Sequence, residues 1–407
     1  MSAAAPELPP MTRVQRALAE ITEQLARQLA GEGGDTRRWG ELEWRLAPAV
    51  AAMHGISGLL ARAPEPHAPA SWRGFLEEQQ AAIAARQRRI EQLLAAIGAH
   101  AHTAGIGVLA LKGAALCRLG VYEPGERPMA DLDLLVRPAD SDATARICTL
   151  LGYREGGATW KHRSFEAQGG AAAALGEPAD GALKIDLHMR IVERLPLAEL
   201  DLTDRILPRH LHPGLNAYGS LPMLMLHLLA HTAGCMVHRG LRLVQLWDVA
   251  RLAALMTAQD WQALSELRAV GAGLWWVGAP LVLAQRYVAL ALPPRALELT
   301  RQGPWWLRRA ARRRSLTAFS YSDARLHPLS GLIWVRSPQE LQRYLWSRVR
   351  PSAAQREQLA VLARTEPWAS APDWYAVRHR RRLWRFLSSR TMRIETLRPV
   401  RAAWERR

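Results

Sequence analysis

The 407-residue sequence predicts an α/β core with a small mixed sheet, flanked by all-helical regions on its N-terminal and C-terminal sides. Two observations carry this. Apolar residues recur at helical spacing before residue 104 and again after residue 196. Between them, short apolar runs bounded by Gly and Pro alternate with short helix signals, the pattern of strands packed with helices.

The first region, 1–104, opens with Val14, Leu18, Ile21, Leu25 and Leu29 on one helical face and closes on the glycines of GEGG. A second helix is expected from about Trp72 to His102, with Arg86, Arg88 and Arg89 on its polar side. The Pro-rich ARAPEPHAPA separates the two.

The core region, 105–195, begins with a buried strand at Gly107–Leu111. A short helix stopped by Gly120 follows, then a second strand at Asp131–Val136. Pro138 can open a helix carrying Ala145, Ile147, Leu150 and Leu151, which Gly152 would stop. Trp160–Ala167 and Leu183–Met189 read as two more strands around a Gly/Ala-rich segment. The resulting order is β-α-β-α-β-β.

From Leu197 the chain reads as helical again. Residues 196–300 would complete a cleft, and 301–407 form an Arg/Trp-rich helical region. The longest uncharged stretch, Ala269–Gln285, is interrupted by Pro280. It falls short of the roughly 20 residues needed to span a bilayer, so a buried helix is expected.

Hydrophobic residues at 49% and charged residues at 22% allow a sizeable globular core. Cys117, Cys148 and Cys235 are far apart and form no C-x-x-C pair, so neither a disulfide framework nor a cysteine zinc site is supported. With no secretory signal at the N-terminus, a cytoplasmic location is expected. The net charge of +17 is confined to residues 301–407, where 24 Arg face 7 Asp or Glu. Those arginines are either solvated helix faces or a site for an anionic partner, nucleic acid or a membrane surface.

The chemistry concentrates in the core region. Asp131 and Asp133 alternate with Leu132 and Leu134, so on a strand both carboxylates share one face while the leucines enter the core. Two neighbouring buried charges of one sign need a positive partner, and a divalent cation with oxygen ligands supplies it. Asp186 in KIDLHMR is a third acid in an apolar strand. If that strand lies beside Asp131–Val136, three carboxylates converge and can hold two Mg²⁺ or Mn²⁺ ions. Gly113, where a strand turns into a helix, permits close backbone approach to a triphosphate. Lys112 and Arg127 could neutralise its oxygens, although Arg127 could equally pin the loop YEPGERPMA.

The order LKG, about 17 residues, R-x-x-x-D-h-D-h-L-V, about 50 residues, h-D-h-H, with h apolar, resembles the uncharacterised nucleotidyltransferase family of the DNA polymerase beta-like superfamily. More distantly it is similar to aminoglycoside nucleotidyltransferases. The resemblance covers roughly residues 85–255 and departs from the compact members in having Lys112 at the usual small residue and a longer gap from Gly113 to Asp131. It implies transfer of a nucleoside monophosphate from a nucleoside triphosphate, with ATP the expected donor, to an acceptor hydroxyl. Asp131, Asp133 and Asp186 take the metal-binding and catalytic positions, and Lys112, Gly113 and Arg127 the nucleotide-binding ones.

His188 shares a strand face with Asp186, and His227 and His231 lie four residues apart on a helix. Because residue 228 is Leu, the H-E-x-x-H zinc motif is absent, and these histidines are expected to border the cleft. Two other readings stay open: a nucleotide-binding or assembly protein without turnover, and a nucleic-acid-binding module acting through the basic C-terminal region.

Overall fold

The computed structural model describes all residues except 1–6, 64, 159–161, 168–174, 179–180, 268–272, 328, 351–380, 382–383, 385–392 and 407. Among the described residues, helices α1 (Met11–Leu29), α2 (Glu41–His54), α3 (Ser57–Ala61) and α4 (Ala70–Thr103) precede the first strand. The face of α1 built from Val14, Leu18, Ile21 and Leu25 is buried, as its spacing predicts. Gly55 stops α2 in the left-handed conformation with φ 65°, which a side chain would strain.

Strands β1 (Gly107–Ala110) and β2 (Asp131–Leu135) flank α5 (Lys112–Arg118). After a 3-10 turn at Pro138–Asp140 come α6 (Ser141–Leu150), β3 (Tyr153–Ala158), β4 (His162–Ala167) and β5 (Lys184–His188). A separate two-stranded ribbon joins β6 (Val192–Leu195) to β7 (Ala198–Asp201), and α7 (Thr203–Ile206) leads to β8 (Gly214–Asn216). The main sheet is mixed and six-stranded, ordered β3-β4-β5-β2-β1-β8. β2 runs parallel to β5, and β1 parallel to β8.

Three strands and one side chain correct the sequence reading. β3 escaped it because YREGGA has no apolar run; it is the outer strand beside β4, with a register shift between Glu155 and Gly157. The chain is not helical throughout after Leu197, since β7 and β8 follow, and β8 takes its place only by pairing with β1 more than a hundred residues earlier. Arg86 is not on a polar face. It is buried, and its guanidinium donates to the carbonyls of Met129, Ala130, Gly181 and Ala182 while its Nε lies 3.1 Å from Glu177.

One sheet face packs on α4 and α6 through Val108, Leu132, Leu134, Ile185 and Leu187, joined by Ile90, Leu94 and Ile97. The other side meets α8 (Leu221–Val237) and α9 (Leu243–Ala253), where Leu109, Leu111 and Leu135 join the larger core. That core continues through α10 (Ala258–Glu266), α11 (Gly278–Tyr287), α12 (Pro294–Leu299) and α13 (Trp305–Arg313). Helix α11 forms the end of the uncharged stretch expected to be a buried helix, whose residues 269–272 lie outside the described ones. Helix α14 (Pro338–Val349) follows, and α15 (Ile394–Glu405) packs back on α2. Most of the basic run RHRRRLWRFLSSR lies outside the described residues. No helix among them is long and apolar enough to cross a membrane.

Candidate active site

The parallel pairing of β2 with β5 sets Asp133 opposite Asp186 and leaves Asp131 two residues away on the same face. Leu132, Leu134, Ile185 and Leu187 are buried on the opposite face, so the apolar half of each strand fixes which way its acids point. One oxygen from each of Asp131, Asp133 and Asp186 lies within 4.8 Å of the others. The sequence-predicted convergence is therefore present.

An ammonium group and an imidazole N–H meet this charge. Lys112 Nζ lies 3.1 Å from Asp133 Oδ2, and His188 donates from Nε2 to Asp133 Oδ1 at 2.7 Å. Despite burial, which favours the neutral acid, these two partners hold Asp133 well below the usual carboxylate range. Burial and then the charge of Asp133 push the Asp131 carboxyl upward. Lys112 stays protonated: burial opposes its charge, and Asp133 outweighs that effect and raises its pKa. Asp186 accepts from Ser164 Oγ at 2.6 Å and Lys184 Nζ at 3.1 Å. Lys184 shares the strand face of Asp186 by simple alternation, a signal in the sequence that the reading passed over.

Lys112 begins α5 with φ 44°, a left-handed conformation uncommon outside glycine and found repeatedly at functional sites. Its backbone N–H faces the Tyr218 hydroxyl at 3.4 Å, and that hydroxyl donates to His227 Nδ1 at 2.8 Å. Burial, reinforced by the Lys112 charge, holds His227 neutral. His227 thus supports the turn from behind, while His231 lines a cavity of about 260 Å³ with Lys112, Gly113, Arg127, Asp131 and Asp133. At Gly113 a Cβ would stand 2.1 Å from Arg127 Nη1, so any side chain there would displace the guanidinium.

Arg127 is bound to Asp248 on α9, Nε to Oδ1 and Nη2 to Oδ2, each at 2.7 Å. Tyr122 donates to the same carboxylate at 2.8 Å. The ion pair pins the loop before β2, and Arg127 also lines the cavity that holds Asp131 and Asp133. Asp248 and Tyr218 carried no sequence signal, because each acts through a partner over a hundred residues away. A second cavity of about 480 Å³ shares Pro128, Ala130, Arg242 and Tyr321 with the first.

A family model described as uncharacterised nucleotidyltransferase matches residues 40–287, which include Lys112, Gly113, Arg127, the three acids and His188, His227 and His231. No curated protein and no solved structure matches the chain. With most of its length under that match and the acids of the resemblance gathered at one point, the chain belongs to the uncharacterised nucleotidyltransferase family and is a nucleotidyltransferase.

Proposed function

We propose that the protein transfers a nucleoside monophosphate from a nucleoside triphosphate, with ATP the expected donor, to the hydroxyl of an acceptor and releases pyrophosphate. The observation that carries this is the meeting of Asp131, Asp133 and Asp186 within 4.8 Å beside Lys112. Three carboxylates, two partly buried and Asp186 buried, offer only oxygen and fit Mg²⁺ or Mn²⁺, which when bound would polarise the phosphoryl group and offset its charge. In this reading Lys112 leaves Asp133 for the phosphate oxygens, and the bare backbone at Gly113 lets them approach. Asp186, steadied by Ser164 and Lys184, receives the proton of the acceptor hydroxyl. His188 orients Asp133 through its 2.7 Å hydrogen bond. This reading assigns the acceptor to the cavity of about 480 Å³, which reaches Pro128 and Ala130 just ahead of Asp131.

The test is transfer of label from α-phosphate-labelled ATP into fractionated cell extract with Mg²⁺ or Mn²⁺. Label is expected to enter one acceptor fraction, and the Asp131→Asn/Asp133→Asn double variant to transfer none. Tight binding of Mg–ATP without any transfer would favour the non-catalytic nucleotide-binding reading instead.

A further inference from the structure

One polar cluster at the cleft has no part in the transfer described above. His231 and Cys235 stand one turn apart on α8, with Cys235 Sγ 3.8 Å from His231 Nε2. On the other side of the ring, His231 Nδ1 lies 3.1 Å from Glu193 Oε1 on β6. Gln245 of α9 donates from Nε2 to the same sulfur at 3.2 Å. A carboxylate thus orients an imidazole, the imidazole faces a thiol, and an amide steadies the sulfur. This is the arrangement that activates a sulfur nucleophile. Cys235 and His231 are each half-buried and line the smaller cavity alongside Asp131 and Asp133.

We propose that Cys235 is an activated thiol, held by His231, Glu193 and Gln245, at which peroxides and soft electrophiles modify the protein inside its catalytic cleft.

The surrounding charges agree. Burial raises the Cys235 thiol, yet His231 and Gln245 bring it below its ordinary value. Burial and Lys112 oppose charge on His231, yet Cys235 and Glu193 carry it up to about 10. Tyr321 and Arg242 border the same cavity. The other two cysteines go the opposite way, burial pushing Cys117 and Cys148 each to about 11. One thiolate among three is the expectation. With hydrogen peroxide, the Cys235 thiolate attacks one oxygen, forming an S–O bond as the O–O bond breaks. The sulfur is oxidised by two electrons, and the departing hydroxide takes the His231 proton and leaves as water. A sulfenic acid and a neutral imidazole remain. With iodoacetamide, an S–C bond forms and iodide leaves.

The test uses the full chain and iodoacetamide at pH 6.5, where an ordinary thiol is only about 1% ionised. Site-resolved mass spectrometry should find native Cys235 alkylated about tenfold or more faster than the same cysteine in the urea-unfolded chain. Cys117 and Cys148 should show no such excess. His231→Gln should remove the excess, its folding checked by circular dichroism; if that variant does not fold, His231→Asn carries the same expectation. A native rate no faster than the unfolded one, or an excess that survives loss of His231, overturns the proposal. Peroxide followed by dimedone should label Cys235, and absence of that adduct overturns the peroxide step. The thiol reactivity stands apart from the transferase reading; its effect on the cleft rests on it. Calorimetry should show Mg–ATP affinity falling at least about tenfold after alkylation. Equal affinity of intact and alkylated protein overturns the coupling, whereas no Mg–ATP binding by intact protein counts against nucleotide transfer and leaves the thiol result standing.

Discussion

Arg127 and Asp248 hold each other by two parallel hydrogen bonds with only 11% and 4% of their side chains exposed, joining the loop ahead of β2 to α9. Fork-to-fork pairing of this kind fixes orientation as well as distance. Removing one partner strands the other charge out of water. Asp248→Ala should therefore destabilise the protein by about 3–5 kcal/mol. Urea denaturation measures it, and a loss under about 1 kcal/mol would show that the pair does not anchor the loop.

Gly113→Ala drives a methyl group into that same guanidinium, 2.1 Å from Nη1. The expected cost is about 1–3 kcal/mol, as for other overpacked sites. The cost should shrink when Arg127 is shortened to Ala, so a double-mutant cycle should show strong coupling between the two positions. Additive losses would mean that the contact is relieved some other way.

Because Asp131, Asp133 and Asp186 crowd together, Mg²⁺ or Mn²⁺ should raise the melting temperature by mass action. At ten times the dissociation constant the gain is about 1.4 kcal/mol. Chelation should reverse it, and Asp133→Ala should abolish it. A melting temperature unchanged across millimolar metal, with and without ATP, would count against the three-acid metal site.

His54 ties α2 to the start of α9 in one protonation state. Its Nδ1 accepts from the Leu243 N–H at 3.0 Å, and its Nε2–H points to Ser322 Oγ at 2.9 Å. Burial, and then the nearby Arg242 charge, lowers its pKa from 6.5 to about 3. On acidification the unfolded chain binds this proton first, so stability falls from about pH 6.5 down to about pH 3. Between pH 7.5 and pH 5 the loss should be about 2 kcal/mol. His54→Asn should flatten that part of the stability–pH curve, whatever it does to stability at pH 7.5. An unchanged slope would show that His54 is not the group responsible.

Helix α13 buries Leu307, Ala310 and Ala311 and leaves Arg309, Arg312 and Arg313 exposed, with Arg314 just beyond its end. Replacing Arg312, Arg313 and Arg314 with Gln should change stability by no more than about 0.5 kcal/mol at each position. If this face meets an anionic partner, capture on heparin or acidic vesicles should weaken in the variant at low salt and converge with the intact protein at high salt. Equal capture at low salt would leave the arginines as solvated charge.

The acids were legible because a strand alternates its faces: Leu132 and Leu134 entering the core dictate where Asp131 and Asp133 go, and KIDLH repeats the rule. The supports were not legible, for a different physical reason in each case. β8 has three residues and no apolar run, so only its pairing with β1 makes it a strand. Arg86, Arg88 and Arg89 look alike in the sequence, yet Arg88 is exposed and Arg86 buried, because the acceptors that permit burial come from distant segments. His188 was expected near the site, but its hydrogen bond to Asp133 depended on β5 lying parallel to β2 in a register the sequence does not state.

Arg86 reaches the backbone just ahead of both acid-bearing strands, at Met129 and Ala130 before β2 and at Gly181 and Ala182 before β5. A single flat, rigid group on α4 thus acts as a calliper, setting the separation at which the two strands begin and so the spacing of the carboxylates further along them. The sheet is consequently not a portable module. Excised from residue 105 onward, it would leave four carbonyls and Glu177 without this donor. The start of both acid-bearing strands is thus tied to a helix that lies outside the sheet.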